Sequence, residues 1–353
     1  MAPLLELPFQ DAQRLFNLFY YQQGAGYASD FSTYASRGSR LAYSEAEAFH
    51  AFVARRFKGG MPESLRVLEL GCGNGNSAWR FLERLRQIDG EKGTDFLERT
   101  HYILSDFSER MLSNAAANRH LRPYAKNLEF ALVDAESPHL SEGDFLLVRT
   151  NELFDDLPTQ LIVREGGGFK EVWLELHLDQ SEEILTRAGE PIPRREFAWL
   201  ARNRFWKLLR MVDGSFVKRL ELVVKYRPVK LDTVAFTLLH SIFGRIPEGE
   251  AIPIPFAAAS CMAAVRALLV PGGIFDSFDY GFNSLRELHK LQPGIFRTPG
   301  ALTTFVNFRF LKAMAPLLGY STAVVEPQHR FTGGREEKEF YHMRLQTPAN
   351  LPP

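Results

Sequence analysis

The sequence predicts an α/β fold: a mostly parallel, Rossmann-like sheet with helices on both faces. Three observations predict it. Short apolar runs alternate with helical patterns between residues 66 and 152, glycines at alternate positions follow the first run, and acidic residues close the runs after it.

Residues 1–62 look helical and separate from the rest of the chain. Residues 43–57 have the clearest helical pattern, with Ser44 as N-cap and Glu47 three residues on. Gly59, Gly60 and Pro62 break the chain. Arg66-Val67-Leu68-Glu69-Leu70 then reads as a buried strand, with a helix over 76–86 after the glycines. Residues 101–106, 128–133 and 144–148 read as the next strands, with a helix over 108–118. The polar stretch 88–100 reads as a loop insertion.

Residues 161–164 and 169–176 flank Gly166-Gly167-Gly168, a hairpin signal. From about residue 180 to 249 the pattern loosens. Residues 187–230 carry twelve Lys/Arg against four Asp/Glu, which suggests an inserted, mostly helical segment with a solvated basic face or a dock for an acidic partner. A helix over 257–269, a fifth strand over 273–280 and a helix over 305–318 follow. Residues 321–326 and 339–345, separated by Gly333-Gly334, predict an antiparallel hairpin closing the sheet. The expected organisation is an N-terminal helical lid (1–62), a core in two parts (63–180 and 251–346), a helical insertion or cap (181–250) and a frayed tail (347–353).

Of 353 residues, 45% are hydrophobic and 24% charged, an ordinary globular balance. Lys+Arg and Asp+Glu both number 42, so charge gives no reason to expect nucleic acid or membrane as the main partner. Cys72 and Cys261 are the two cysteines, too few for a metal cluster, and they suggest a reducing compartment. Residues 1–21 show no secretory or transit pattern, and no apolar run approaches the ~20 residues that span a bilayer. A cytoplasmic address and no metal are expected.

The chemistry starts at Glu69-Leu70-Gly71-Cys72-Gly73-Asn74-Gly75. Alternate glycines let the backbone turn tightly at a strand end and leave room for a ligand against the main chain. The next helix offers its N-terminal N–H groups to an anion, a pyrophosphate in a NAD enzyme or a methionine carboxylate in a methyltransferase. Asp106, ending the second strand, can accept both ribose hydroxyls. Asp134-Ala135, after the third, can accept from an adenine amine while the neighbouring backbone reads the ring. Ligands of open α/β sheets bind at these carboxyl ends. After the fourth strand comes Asn151-Glu152-Leu153-Phe154-Asp155-Asp156-Leu157-Pro158. Its three carboxylates repel unless a cation or a proton joins them, and a guanidinium or amine would serve.

This last segment, followed by Phe169-Lys170-Glu171-Val172-Trp173, resembles the signature of the MidA-type methyltransferases, a family that includes the mitochondrial complex I assembly arginine methyltransferase. Ser29-Asp30-Phe31-Ser32-Thr33, Asp279-Tyr280-Gly281, the stretch from Gly300 to Phe308, and Gln328 with Phe331 are similar, in order, to further motifs of that family. The resemblance spans about residues 29–332 and is weakest over 180–250. The chain departs from the family pattern at Cys72 (usually Pro), Asp106 (usually Glu), Asp156 (usually small) and Asn307 (usually Asp).

The resemblance implies a Rossmann-like S-adenosylmethionine (SAM)-dependent methyltransferase, with an arginine side chain as acceptor in the branch named. SAM would be held by Glu69, Gly71, Cys72, Gly73, Asn74, Gly75, Asp106, Phe107, Asp134, Ala135 and Asn151. Glu152 and Asp155 would line the acceptor pocket, with Asp30 and Tyr280 near it. The expected partners are a protein or small-molecule methyl acceptor, with room for a homodimer. Other readings stay open: a small-molecule methyltransferase of a biosynthetic pathway, a non-catalytic assembly factor on the same fold, or a NAD-type dehydrogenase. Against the dehydrogenase, the loop lacks the full Gly-x-Gly-x-x-Gly form, since Asn76-Ser77-Ala78 follows Gly75.

Overall fold

The structure, a computed structural model, describes residues 3–22, 38–230, 233–243, 248–291, 295–298, 301–335 and 339–349. In chain order the strands are β1 (Leu5–Pro8), β2 (Leu65–Leu70), β3 (Thr100–Asp106), β4 (Leu128–Leu132), β5 (Phe145–Asn151), β6 (Gln160–Glu165), β7 (Gly168–His177), β8 (Glu221–Val229), β9 (Ala251–Ile254), β10 (Leu269–Phe282), β11 (Ile295–Thr298), β12 (Ala301–Thr304), β13 (Val306–Asn307), β14 (Thr322–Pro327) and β15 (Phe340–Gln346). The chain divides into two units.

One unit comprises Gly24–Leu153, Ala259–Gly281 and Leu311–Pro353. Its sheet has the order β14-β15-β10-β5-β2-β3-β4. The pairs β3/β4, β2/β3, β2/β5 and β5/β10 are parallel. β15 runs antiparallel to both β10 and β14, which makes the expected C-terminal hairpin. From β2 the chain steps outward to β3 and β4, then returns to β5 on the other side. The strand order therefore reverses between β2 and β5, where open α/β sheets form their ligand crevice.

Helix Asn76–Lys92 joins β2 to β3 and buries Phe81, Leu82 and Leu85 in a core with Val67, Tyr102 and Leu104. The loop expected over 88–100 is instead mostly helical. The first helix runs on to Lys92, ends on Gly93 in the left-handed conformation, and helix Phe96–Arg99 leads into β3. The buried Asp89 carboxylate accepts the Leu97 N–H at 2.7 Å, which folds the two helices onto each other.

A row of charge crosses this sheet. Glu69 on β2 is in register with Arg149 on β5, Arg149 with Asp276 on β10, and Asp276 with Arg344 on β15. In-register neighbours share a face, so four side chains of alternating sign stand side by side. Glu69, Arg149 and Asp276 are buried. Arg344 grips Asp276 with bonds of 2.8 and 2.6 Å, and its guanidinium holds the Asp276 carboxyl well below its ordinary range against the effect of burial.

The other unit comprises Met1–Gln23, Phe154–Ala258 and Phe282–Phe310. Its antiparallel sheet has the order β1-β7-β6-β9, with β8 also on β7. The predicted β6–β7 hairpin turns at Gly166 and Gly167, both at positive φ (60° and 79°), as a primed turn demands. Residues 1–62, expected to be helical, include the strand β1. Leu5 and Leu7 are buried at a spacing of two, and Pro8 then caps helix Phe9–Tyr20. Residues 181–250 hold helices Arg194–Arg202, Trp206–Leu209 and Thr233–Phe243 and, between them, strand β8.

Candidate functional site

The glycine loop follows β2. Gly71, Gly73 and Gly75 all have positive φ (73°, 56° and 74°), a conformation that costs any other residue. A Cβ at Gly71 would come within 3.1 Å of the Leu153 side chain, and one at Gly75 within 2.8 Å of Leu121. The loop is pinned by its own backbone. Cys72 N–H donates to Ser105 O, and Gly75 N–H to Cys72 O, both at 2.9 Å. Asn74 Oδ1 accepts the Asn76 N–H at 3.1 Å, and Asn118 Nδ2 clips the Asn74 carbonyl at 3.0 Å.

Asp106 closes β3 beside this loop. Its carboxylate accepts the Gly73 N–H at 3.3 Å and the Ser108 N–H at 3.0 Å. Burial pushes its pKa up to about 6, although the Ser108, Gly73 and Phe107 N–H groups pull the other way. Phe107 next to it is half-buried. After β4, Asp134 is exposed and accepts the Glu136 N–H at 3.0 Å, while Ala135 is buried.

Across the switch point, β5 ends at Asn151. Asn151 Oδ1 is buried and has no hydrogen-bond partner among the described residues. Glu152 follows with φ 46°, a left-handed backbone that a β-carbon resists. Its N–H donates to the Phe278 carbonyl of β10 at 2.8 Å. Its carboxylate accepts from the Tyr280 hydroxyl at 2.8 Å. The structure thus brings together two residues expected at the acceptor pocket, Glu152 and Tyr280.

Glu69 and Cys72 look inward. The Glu69 carboxylate, 2% exposed, accepts from Tyr102 at 2.7 Å and lies 3.7 Å from Arg149. Burial raises its pKa, and Arg149 opposes the rise. Burial also pushes the Cys72 thiol well up, with Asp106 and Glu69 adding to it, so it stays protonated and packs. Glu45, Ser77, Tyr102 and Arg149 were not singled out from the sequence. Only Arg149 carried a signal: a charge at the end of the run from Phe145 to Val148, apolar enough to be fully buried, needs a buried partner.

Asp155 and Asp156 belong to the other unit. There Gln13 of helix Phe9–Tyr20 clasps the turn, donating to Asp155 O at 2.8 Å and accepting the Thr159 N–H at 2.9 Å. The Asp155 side chain is buried. The Asp156 carboxylate accepts from Tyr21 and, at 3.2 Å, from Asn17 Nδ2. Asn307 Nδ2 donates to the Pro253 carbonyl at 2.8 Å, while its Oδ1 accepts the Phe310 N–H at 3.0 Å. Asp30, with the motif of residues 29–33, lies outside the described residues.

Among the described residues no helix is long and apolar enough to cross a membrane. Two crystal structures of proteins from Burkholderia thailandensis are similar in fold. One is a native superfamily structure, 17% identical, with 98% of this chain covering 88% of that one at a TM-score of 0.65. The other was solved with S-adenosyl-homocysteine bound, at 18% identity, 98% and 89% coverage and a TM-score of 0.64. No curated protein matches the chain. Residues 51–324 match the family of S-adenosyl-L-methionine-dependent methyltransferases. The chain belongs to that family, and its cofactor is S-adenosyl-L-methionine.

Proposed function

We propose that the chain methylates a nitrogen acceptor, with a protein arginine side chain as the preferred class, and that the cofactor lies in the crevice between the ends of β2 and β5. The observation that carries the acceptor reading is Glu152. A carboxylate beside the switch point, on strained backbone and gripped by Tyr280, is placed to hold a cationic nitrogen by a charge-assisted bond.

The residues present fit the cofactor. The glycine loop leaves its backbone open to close approach, Asp106 suits the ribose hydroxyls, and Asp134 with Ala135 suits the adenine. The orphaned Asn151 Oδ1 offers an acceptor to an ammonium group. When bound, SAM supplies a methyl group on a positively charged sulfur. The chain then has to align donor and acceptor and exclude water, so that the nitrogen lone pair would form the new bond while the electrons of the broken carbon–sulfur bond would stay on sulfur. Glu152 fixes the nitrogen and takes up its proton as the bond forms. Asp155 and Asp30 are carried from the sequence as further acceptor-side candidates.

The departures at Asp156 and Asn307 would favour a small-molecule acceptor if they altered the substrate. Both side chains instead have partners within their own unit, which favours the protein reading. The test is methyl transfer from labelled SAM to arginine-containing peptides and to small amines, for wild type and Glu152→Gln. Arginine methylation lost in the variant, with S-adenosylhomocysteine binding intact, is the expected result. Equal turnover by the variant removes Glu152 from the mechanism.

A further inference from the structure

One guanidinium reaches both ends of the glycine loop. Glu69 lies two residues before Gly71, and Ser77 two residues after Gly75. Arg149 Nη2 donates to Ser77 Oγ at 2.7 Å. Its Nη1 lies 3.7 Å from Glu69 Oε1 and donates to the Tyr102 hydroxyl at 2.8 Å, which in turn donates to Glu69 Oε2 at 2.7 Å. Nε donates to Glu45 Oε1 at 2.8 Å, and Nη2 also bonds Glu45 Oε2, anchoring the guanidinium from helix Arg40–Arg56. The Arg149 side chain is fully buried, so its position is set by these bonds rather than by solvent.

We propose that Arg149 is a positioning residue for the cofactor. It spans the strand end and the helix end of the loop and holds them at a fixed separation before any ligand arrives. A loop already in its bound shape spends no binding energy on ordering itself. Arg149 also sits two residues before Asn151, so the same anchor sets both banks of the crevice. The proposal rests on the reading that residues 71–75 hold the cofactor.

Arg344 provides the control. It belongs to the same charge row and grips a buried carboxylate, but through Asp276, outside the loop's two flanks. The experiment is calorimetric titration of the purified full chain with S-adenosylhomocysteine, beside thermal melts, for wild type, Ser77→Ala, Arg149→Lys and Arg344→Lys. Ser77→Ala removes only the helix-side tether and leaves every buried charge paired. Loss of one hydrogen bond to a charged group predicts affinity weakened about tenfold in Ser77→Ala, and at least as much in Arg149→Lys. Arg344→Lys should melt earlier and bind as wild type does. Wild-type affinity in Ser77→Ala, at a temperature where it is folded, overturns the proposal and leaves Arg149 a purely structural group, whatever Arg149→Lys does. No binding by the wild type overturns the cofactor site itself, and the proposal with it.

Discussion

The Tyr280 hydroxyl on β10 donates to the Glu152 carboxylate across 2.8 Å, while the Glu152 N–H donates to the Phe278 carbonyl two residues earlier on the same strand. Glu152 is thus held by its side chain and by its backbone, in a conformation it would not adopt alone. Tyr280→Phe should lower turnover about tenfold, the worth of one hydrogen bond to a charged group. Glu152→Gln should lower it about a hundredfold or more if the carboxylate also takes the proton. Both should bind S-adenosylhomocysteine as wild type does, and calorimetry beside kinetics separates the effects.

Gly75→Ala should be costly twice over. Its φ of 74° disfavours a side chain by about 1 kcal/mol, and the new Cβ would come within 2.8 Å of Leu121. Thermal melts should show a clear drop in Tm. In a Leu121→Ala background, which itself melts earlier for its lost packing, Gly75→Ala should cost only the backbone part.

Asp106 gives a dependence on pH. Its pKa is pushed up to about 6, mainly by burial, from an ordinary 3.8. In its proposed role at the ribose only the ionised carboxylate would accept both hydroxyls, so ligand affinity should fall as pH drops through about 6. Stability without ligand moves the other way. A raised folded pKa stabilises fully below 3.8, and the contribution is lost as pH rises through about 6. Titrations with S-adenosylhomocysteine from pH 5 to 8 should show this step, and Asp106→Asn should flatten it.

Asn307→Asp tests whether this position serves packing or substrate. The fully buried amide donates to Pro253 O, and a carboxylate cannot donate. The loss, with a carboxylate oxygen turned to a carbonyl, should cost about 2 kcal/mol, read as a lower Tm in thermal melts. Ligand affinity and acceptor preference should not change.

The core sheet was legible because its strands are short apolar runs whose chemistry sits at their ends. Arg66-Val67-Leu68-Glu69-Leu70 and the glycines after it placed β2 to within a residue of the observed Leu65–Leu70. The hairpin of β14 and β15 was read from two β-rich stretches around a pair of glycines. Less local features were hidden. β1 has four residues and ends on proline, too short for its period of two to stand out. β8 is exposed along nearly its whole length, so no apolar face marked it inside the basic segment. Residues 88–100 looked like a loop for their polarity, yet Ile88 and Asp89 are buried on the inner side of the helix.

The site was legible in part for the same reason. Gly71, Asp106 and Glu152 announce themselves at strand ends. The contact between Glu152 and Tyr280 joins residues 128 apart in sequence. Arg149 bonds Glu45 from 104 residues away. Nothing in local spacing encodes such distances. They become visible only when register places β5 beside β2 and β10.

The row Glu69, Arg149, Asp276 and Arg344 also constrains how this protein can change. Deleting Arg149 leaves Glu45 and Glu69 buried without that counter-charge, and reversing any one rung sets like charges side by side, a loss of several kcal/mol in a molecule whose whole stability is of that order. Drift through Arg149 or through a charge reversal is therefore blocked one substitution at a time, while an exchange of the whole row together with Glu45 for apolar side chains keeps the balance. The sheet's centre is an evolutionary ratchet, and a designer who wants a plainer version has to move all the rungs, and Glu45 with them, together.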